Sequence, residues 1–114
     1  MDDFAPPVHA VLVIDAPEAL PCIEGLEPRP SAVLIRLRQL GPELLAMLRP
    51  DCVVLPLLRP GYDALQGLDR LASLGYAGPV CIFAPPLPAP AIVEAELRAS
   101  HPQFELRFYT MPAG

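Results

Sequence analysis

The sequence predicts an α/β domain, in which a parallel sheet carries helices on both faces. Short apolar runs that suit buried strands alternate with stretches of helical period along nearly the whole chain. These runs are continuous rather than alternating, which is typical of parallel strands covered on both sides. The chain has 114 residues. That length suits a single domain with its own core, so we predict one domain over residues 1–114.

Five segments are predicted as strands. Four are apolar runs that favour buried strands, although Arg36 interrupts the second: His9–Ile14, Ala32–Leu37, Cys52–Leu58 and Val80–Ala84. The fifth, Phe104–Tyr109, alternates apolar with polar residues and suits an edge strand with one wet face. Its apolar set is Phe104, Leu106 and Phe108, and its polar set is Glu105, Arg107 and Tyr109.

Three segments between the strands have the helical period: Pro42–Arg49, Tyr62–Gly75 and Ala89–Ser100. Pro42 suits a first helical position, and Gly75 suits a C-terminal cap. The apolar faces are Leu44, Leu45 and Leu48 in the first helix, and Leu65, Leu68, Leu71 and Ala72 in the second. The proline-rich first connection leaves room for a short helix near Pro21. Right-handed crossovers then give a doubly wound, flavodoxin-like sheet with strand order 2-1-3-4-5.

Composition excludes several classes of function. The chain has no lysine, so a P-loop lysine, a Schiff base and a lysine general base are all excluded. The net charge is -5 without any basic cluster, which argues against direct nucleic-acid binding. No apolar run is long enough for a membrane span, and the acidic N-terminus is unlike a signal peptide. We therefore expect a cytoplasmic protein, and the composition favours a bacterial source.

Cysteine and histidine give no sign of a metal or cofactor site. Cys22, Cys52 and Cys81 have no metal-ligand spacing, and two of them lie in strand-like runs. We predict buried, reduced thiols, as is usual for free cysteine. His9 and His101 stand far apart in the sequence and are expected to be structural. No metal and no cofactor are predicted.

The central segment, "DCVVLPLLRPGYDA", resembles the receiver domains of bacterial two-component response regulators. In that family the third strand and its exit follow "D-L-V-L-L-D-L-x-M-P-G-x-D-G". The preceding "GPELLAMLRPD" resembles the family's "G-x-E-A-L-x-x-L-x-x-x-x-P-D", "GPVCIFA" resembles its fourth strand, and "YTMP" resembles its final "V-K-P". The resemblance covers residues 8–112 and implies a CheY-like fold. Other flavodoxin-like folds remain an alternative.

The resemblance also implies a degenerate phosphorylation pocket. Pro56 stands where receivers carry the phosphate-accepting Asp, and Ala16 stands at the second of two acids that hold Mg²⁺, after Asp15. Ala84 replaces the family's Thr or Ser, and Met111 replaces its Lys. Proline offers no carboxylate nucleophile, and a lone acid is a poor Mg²⁺ site. By the same resemblance, the Met111–Pro112 bond is expected to be cis.

Two departures from the family bear on partners. The sequence stops where a receiver's fifth helix would begin, so we expect that helix to be missing and the last strand to be partly uncovered. The proline-rich "APPLPAPA" loop is expected to be rigid, with recognition by an SH3-type domain as an alternative use. On the face that receivers use for partners, the predicted contact residues are Leu87, Ile92, Glu96, Arg107 and Tyr109.

The sequence therefore favours a pseudo-receiver: a phosphorylation-independent interaction module in bacterial signal transduction or transcription control. Its partner would be a kinase, a transcription factor or a second copy of the chain in a homodimer. The alternative is a small-ligand sensor that uses the C-terminal edge of the sheet. An enzyme is not expected, because no nucleophile–base pair is recognisable among its candidates Asp15, Tyr62, Asp63 and Thr110.

Overall fold

The computed structural model describes residues 9–59 and 62–110. The strands among them are β1 (Ala10–Ile14), β2 (Ser31–Ile35), β3 (Cys52–Pro56), β4 (Leu58–Arg59), β5 (Tyr62–Asp63), β6 (Pro79–Ala84) and β7 (Glu105–Thr110). Five of them form one parallel sheet in the order β2-β1-β3-β6-β7, and β4 pairs with β5 in a separate antiparallel hairpin. The main sheet has the predicted doubly wound order 2-1-3-4-5, so the predicted CheY-like topology is confirmed.

The α-helices among the described residues are α1 (Leu20–Glu24), α2 (Pro42–Leu48), α3 (Ala64–Ser73) and α4 (Pro90–Ser100). Proline occupies the first turn of α1, α2 and α4, where its missing N–H would have no partner within the helix. Gly75, just beyond α3, has φ = 84° and donates its N–H to the Ala72 carbonyl at 3.0 Å. The predicted glycine cap is therefore confirmed. Within residues 9–59 and 62–110, every helix is too short or too polar to cross a membrane.

The three central strands are buried on both faces. Alternate side chains supply two clusters, because successive strand residues point to opposite sides of the sheet. The strand residues of the first cluster, which α2, α3 and α4 cover, include Leu12, Ile14, Val53, Leu55, Val80 and Ile82. Those of the second cluster, on the α1 side, are Val11, Val13, Cys52, Val54, Cys81 and Phe83. Continuous apolar sequence in these strands is explained by this double burial.

Cys52 and Cys81 are buried, as predicted, whereas Cys22 is only half-buried. None of the three forms a disulfide. Burial raises the pKa of the Cys52 thiol to about 12, so this side chain is protonated at neutral pH. A protonated, buried thiol is a weak nucleophile, which fits a packing role.

The prediction that β2 is a buried strand is wrong. Ser31, Ala32, Val33 and Leu34 are exposed, and only Ile35 is buried. The reason is topological: β2 is the edge strand beside β1, so its outer side has no neighbouring strand. Its apolar run alone does not distinguish an edge position from a central one.

The region after β3 also departs from the sequence prediction. The strand ends at Pro56 rather than Leu58, and the β4–β5 hairpin precedes a helix that begins at Ala64 rather than Tyr62. Leu65 was expected on the apolar face of α3, but it is 41% exposed. The buried residues of α3 are Ala64, Gly67, Leu68 and Leu71. The buried face of α3 is thus rotated by about one residue from the predicted face, and Leu65 lies at its exposed border.

The alternation predicted for the last strand is confirmed. Leu106 and Phe108 pack with the first core cluster, whereas Tyr109 packs with the second. Glu105 is exposed, as an edge strand allows. Residues after Thr110 lie outside the described part of the chain, so the expected absence of a fifth helix and the predicted Met111–Pro112 cis bond both fall beyond it.

Asp51 fastens β3 to β1 at the amino end of the sheet. Its Oδ2 accepts hydrogen bonds from Ala10 N and His9 N at 2.9 Å each, and Asp51 N donates to the Ala10 carbonyl at 2.8 Å. The bonds from Ala10 N and then His9 N hold the pKa of the Asp51 carboxyl below its ordinary value. Asp51 thus acts at the end of the sheet opposite Pro56.

Replacing Asp51 with Ala should lower the free energy of unfolding at pH 7 by about 1 kcal/mol, a modest amount because water competes for an exposed carboxylate. A depressed native pKa stabilises the fold above the unfolded pKa, and this contribution disappears as pH falls through the lower native value. The difference between wild type and Asp51→Ala in urea unfolding should therefore shrink below about pH 4. Asp51→Asn removes the charge but keeps an acceptor. Its free energy of unfolding should therefore lie between those of the wild type and Asp51→Ala. A difference that does not change with pH would contradict this account.

Candidate functional site

The carboxyl ends of the strands bring the predicted pocket residues to one edge of the sheet. Val13 pairs in register with Val54, so β1 and β3 end at the same edge, where Asp15 follows β1 and Pro56 is the last residue of β3. Pro56 pairs with Phe83, and Ala84 pairs with Thr110. This edge is where doubly wound folds place their ligands. Met111, the fifth predicted pocket residue, lies outside the described residues.

Asp15 has the only charged side chain among the described pocket residues, and its carboxylate already binds the backbone. Oδ2 accepts a hydrogen bond from Leu37 N at 2.9 Å, and Asp15 N donates to the Ile35 carbonyl at 2.8 Å. The residue has φ = 52°, a left-handed conformation that Asp tolerates better than most residues. The carboxylate therefore secures the chain that leaves β2.

The other described pocket residues are apolar and buried. Ala16 is 0% exposed, Ala84 is 5% exposed, and Pro56 is buried as the last residue of β3. None of them can offer a nucleophile or a metal ligand. Pro56 lacks an N–H, and the next donor, Leu57 N, binds the Phe83 carbonyl at 2.8 Å. Proline at this position is thus compatible with continued contact between β3 and β6.

The described residues bring no metal-binding cluster together. Within 9–59 and 62–110, no group of three or more His, Cys, Asp or Glu side chains could hold a metal ion. Asp63, an acid considered for catalysis, is the N-cap of α3: its Oδ1 accepts from Gln66 N at 3.1 Å, and Gln66 Oε1 accepts from Asp63 N at 2.9 Å. Such a capping box satisfies the free donors at a helix start. A structural use therefore accounts for this carboxylate.

The predicted partner-binding residues lie on two sides of the sheet. Ile92 is 61% exposed on α4, Glu96 is exposed on the same helix, and Leu87 is half-buried in the loop before it. Arg107 and Tyr109 project from β7 to the face opposite α4, because alternate residues of β7 pack with α4. One flat surface cannot contain all five side chains.

On that opposite face, Arg107 and Tyr109 already have partners. Arg107 forms an ion pair with Glu105, with its Nε donating to Glu105 Oε2 at 3.0 Å. The Tyr109 ring stacks on Phe83 with 4.8 Å between centroids. Both side chains are half-buried. The α4 surface is therefore the more accessible part of the predicted interface.

His101 joins α3 to α4, a role that the sequence did not specify. It is 6% exposed, and its Nε2 lies 2.7 Å from Asp69 Oδ1, while its Nδ1 lies 2.9 Å from Ser100 Oγ. Ser100 Oγ also donates to the Leu97 carbonyl at 3.1 Å, which holds the hydroxyl against its own helix. The buried ring thus has polar partners at both nitrogens. This agrees with the structural position predicted for His101.

Beside this link lies a cavity of about 310 Å³ between the β4–β5 hairpin, α3 and α4. Its walls include Leu57, Leu58 and Leu65 together with Val93, Leu97 and Ser100. The sequence does not predict this cavity, because the cavity depends on how the hairpin meets α4. Leu65, an exposed residue of α3, forms part of its wall.

Comparisons with solved structures identify the fold. The two-component response regulator from Cytophaga hutchinsonii matches with a TM-score of 0.63 at 15% identity, covering 94% of this chain and 88% of its own. The response regulator domain of CheB from Thermotoga maritima matches with a TM-score of 0.62 at 20% identity, covering 94% and 81%. The receiver domain of the Francisella response regulator 1452 matches with a TM-score of 0.60 at 18% identity, covering 93% and 86%.

These similarities show that the chain has the fold of response-regulator receiver domains. No family model and no curated protein matches the sequence. The structural similarities thus confirm the fold that was predicted from the resemblance.

Proposed function

We propose that this chain is a pseudo-receiver, a regulatory interaction domain that works without phosphorylation. One observation carries the proposal: β3 ends at the carboxyl edge of the sheet on Pro56, the residue that the resemblance places at the nucleophile position, and the carboxylate of Asp15 is bound to Leu37 N. Phosphoryl transfer depends on a positioned nucleophile and on compensating charge. Ala16 and Ala84 supply neither. We therefore propose that the domain is not an enzyme.

The interaction surface is proposed to centre on α4. Ile92 is an exposed apolar side chain, and Glu96 lies one turn further along the same helix. In this proposal Ile92 supplies the apolar centre of the contact and Glu96 supplies part of its polar rim, the arrangement that interfaces commonly have. The partner would be a kinase, a transcription factor or a second copy of the chain, in bacterial signal transduction or transcription control within the cytoplasm.

The interface is tested by affinity capture of the tagged chain from its native lysate. We expect a stoichiometric protein partner, and Ile92→Glu should reduce its recovery at least about fivefold, because a charge would enter the apolar centre of the contact. Met47→Glu is the matched control, since Met47 is 73% exposed on α2, outside the proposed surface. Capture of no partner by the wild-type chain, or equal loss with both variants, would contradict the proposal.

The alternative function is a small-ligand sensor at the carboxyl edge of the sheet. One observation favours it: the cavity of about 310 Å³ begins at Leu57, directly after Pro56. A thermal-shift screen of metabolites tests this alternative, and a screen in which no compound stabilises the protein would count against it.

A further inference from the structure

The cavity between the hairpin, α3 and α4 has the size and walls of a small-molecule site. Its volume of about 310 Å³ lies at the lower end of the range of roughly 300–1,000 Å³ found for such sites. This favours a compact body of one or two rings. The apolar wall consists of Leu57, Leu58, Ala64, Leu65, Val93 and Leu97. Leu58 is 67% exposed, so a ligand that covered it would remove apolar surface from water.

The polar residues of the cavity favour a cation. Among the lining residues whose side chains the structure describes, Asp63 and Glu96 are the two charged ones, and none is basic. The N-cap contact uses Oδ1 of Asp63, and Glu96 is an exposed residue on α4. Ser100 directs its hydroxyl to the Leu97 carbonyl at 3.1 Å. The charge offered to an occupant is therefore negative, and the net charge of -5 adds to the attraction for a cation.

We propose that this cavity binds a small organic cation that has an apolar ring body and one ammonium group. The body would lie against the leucines and Val93, and the ammonium would lie between Asp63 and Glu96. An anion of the same shape would be repelled by both carboxylates. This proposal does not rest on the interaction role, with which it shares Glu96. It specifies the chemical class of ligand for the alternative sensor function, which uses the same cavity.

Three ligands with the same naphthyl body test the charge preference: 1-naphthylmethylamine, 1-naphthylmethanol and 1-naphthoate. Binding is followed by amide chemical shifts of the ¹⁵N-labelled full chain at neutral pH. The amine should bind saturably with shifts at residues around the cavity, and about fivefold more tightly than the alcohol. The carboxylate should bind more weakly than either. Equal affinities for the three ligands would overturn the proposal.

Charge-removing variants test whether the two carboxylates are responsible. Asp63→Asn keeps a side-chain acceptor for the helix cap, and Glu96→Gln preserves size. Each should weaken amine binding about two- to fivefold and leave alcohol binding unchanged. Glu94→Gln is the matched control, because Glu94 is on α4 but pairs with Arg98 rather than lining the cavity. If Glu94→Gln weakened amine binding as much as Glu96→Gln, the proposed site would be wrong.

A cavity-filling variant tests the apolar component. Val93→Phe should reduce binding of both the amine and the alcohol, whatever the ligand's charge. Its folding is checked by urea unfolding, and the two charge variants remain decisive if it does not fold. Should all three naphthyl ligands fail to bind while a basic amphipathic peptide does, the groove would be a protein-docking site and the small-cation proposal would be wrong.

Discussion

Replacing Leu55 with Ala should lower the free energy of unfolding by about 3–5 kcal/mol, the upper part of the usual range for buried leucine. Leu55 is 0% exposed in β3, the central strand of the main sheet. Its side chain belongs to the first core cluster, between the sheet and α3. Deleting three carbon atoms there leaves a cavity that rigid neighbours cannot close. Urea unfolding monitored by circular dichroism measures the change.

The same site allows a sharper test through Gly67 of α3. A Cβ at Gly67 would lie 3.0 and 3.1 Å from the two Cδ atoms of Leu55. In the wild-type background, Gly67→Ala should therefore destabilise by about 1 kcal/mol, because overpacking exceeds the gain in helix propensity. In the Leu55→Ala background the methyl group enters vacated space, and the same substitution should stabilise by about 1 kcal/mol. The sign of the effect should thus reverse.

The control for this reversal is Gly41, where nothing lies within 4 Å of an added Cβ. Gly41→Ala removes a favourable residue at the N-cap of α2, and its effect should be the same with Leu55 or Ala at position 55. A double-mutant cycle reports the coupling between each glycine and Leu55. Additive values for Gly67→Ala and Leu55→Ala would mean that the contact between α3 and β3 is looser than the distances indicate.

The main sheet could be predicted because double burial leaves a strong signal in the sequence. β1, β3 and β6 are surrounded by apolar groups on both faces, so each is a continuous apolar run. β2 has a similar run, yet it lies at the edge and is exposed. Position in the sheet is set by the chain's crossovers and not by the strand's own residues. Residue patterns therefore predicted the strand, and only the topology gives its exposure.

The sequence predicted which residues occupy the candidate site in place of the receiver family's residues. It did not predict the contacts that these residues make. The resemblance placed Asp15, Pro56 and Ala84 at one edge, and the register agrees. That the Asp15 carboxylate binds Leu37 N depends on how the chain leaves β2, which no local pattern specifies. The division of the predicted interface follows from the alternation of β7. Arg107 and Tyr109 were already predicted to face away from Leu106, but α4 was not assigned to a face.

Introducing a carboxylate at position 56 tests the proposal that this domain works without phosphorylation. Pro56→Asp places a carboxylate at a buried position, at the same edge of the sheet as Asp15 and next to the register partner Phe83. Burial and the negative charge of Asp15 should raise the pKa of the new carboxyl. Relative to Pro56→Asn, the Asp variant should be less stable by about 2–3 kcal/mol at pH 7.

The pH dependence of this difference separates charge from shape. A buried carboxyl whose pKa is raised in the native state does not destabilise the fold below its unfolded pKa, because it is then protonated in both states. The free energy of unfolding falls as pH rises towards and through the native pKa. The gap between Pro56→Asp and Pro56→Asn should therefore close below about pH 4. An equal gap at pH 4 and pH 7 would indicate that packing, rather than the buried charge, causes the loss.

The chemical consequence is read by ¹⁹F NMR of beryllofluoride, a phosphoryl mimic, with Mg²⁺. Neither the wild-type chain nor Pro56→Asp should show a bound fluoride signal, because Asp15 is engaged by Leu37 N and Ala16 supplies no second acid. Restoring one carboxylate leaves the metal without the oxygen ligands that Mg²⁺ requires. A saturable, Mg²⁺-dependent signal in Pro56→Asp would mean that a single substitution silences this receiver fold. If a folded Pro56→Asp variant shows no such signal, the result would support a structural role for this edge, which holds β1, β2 and β3 together, rather than phosphoryl binding.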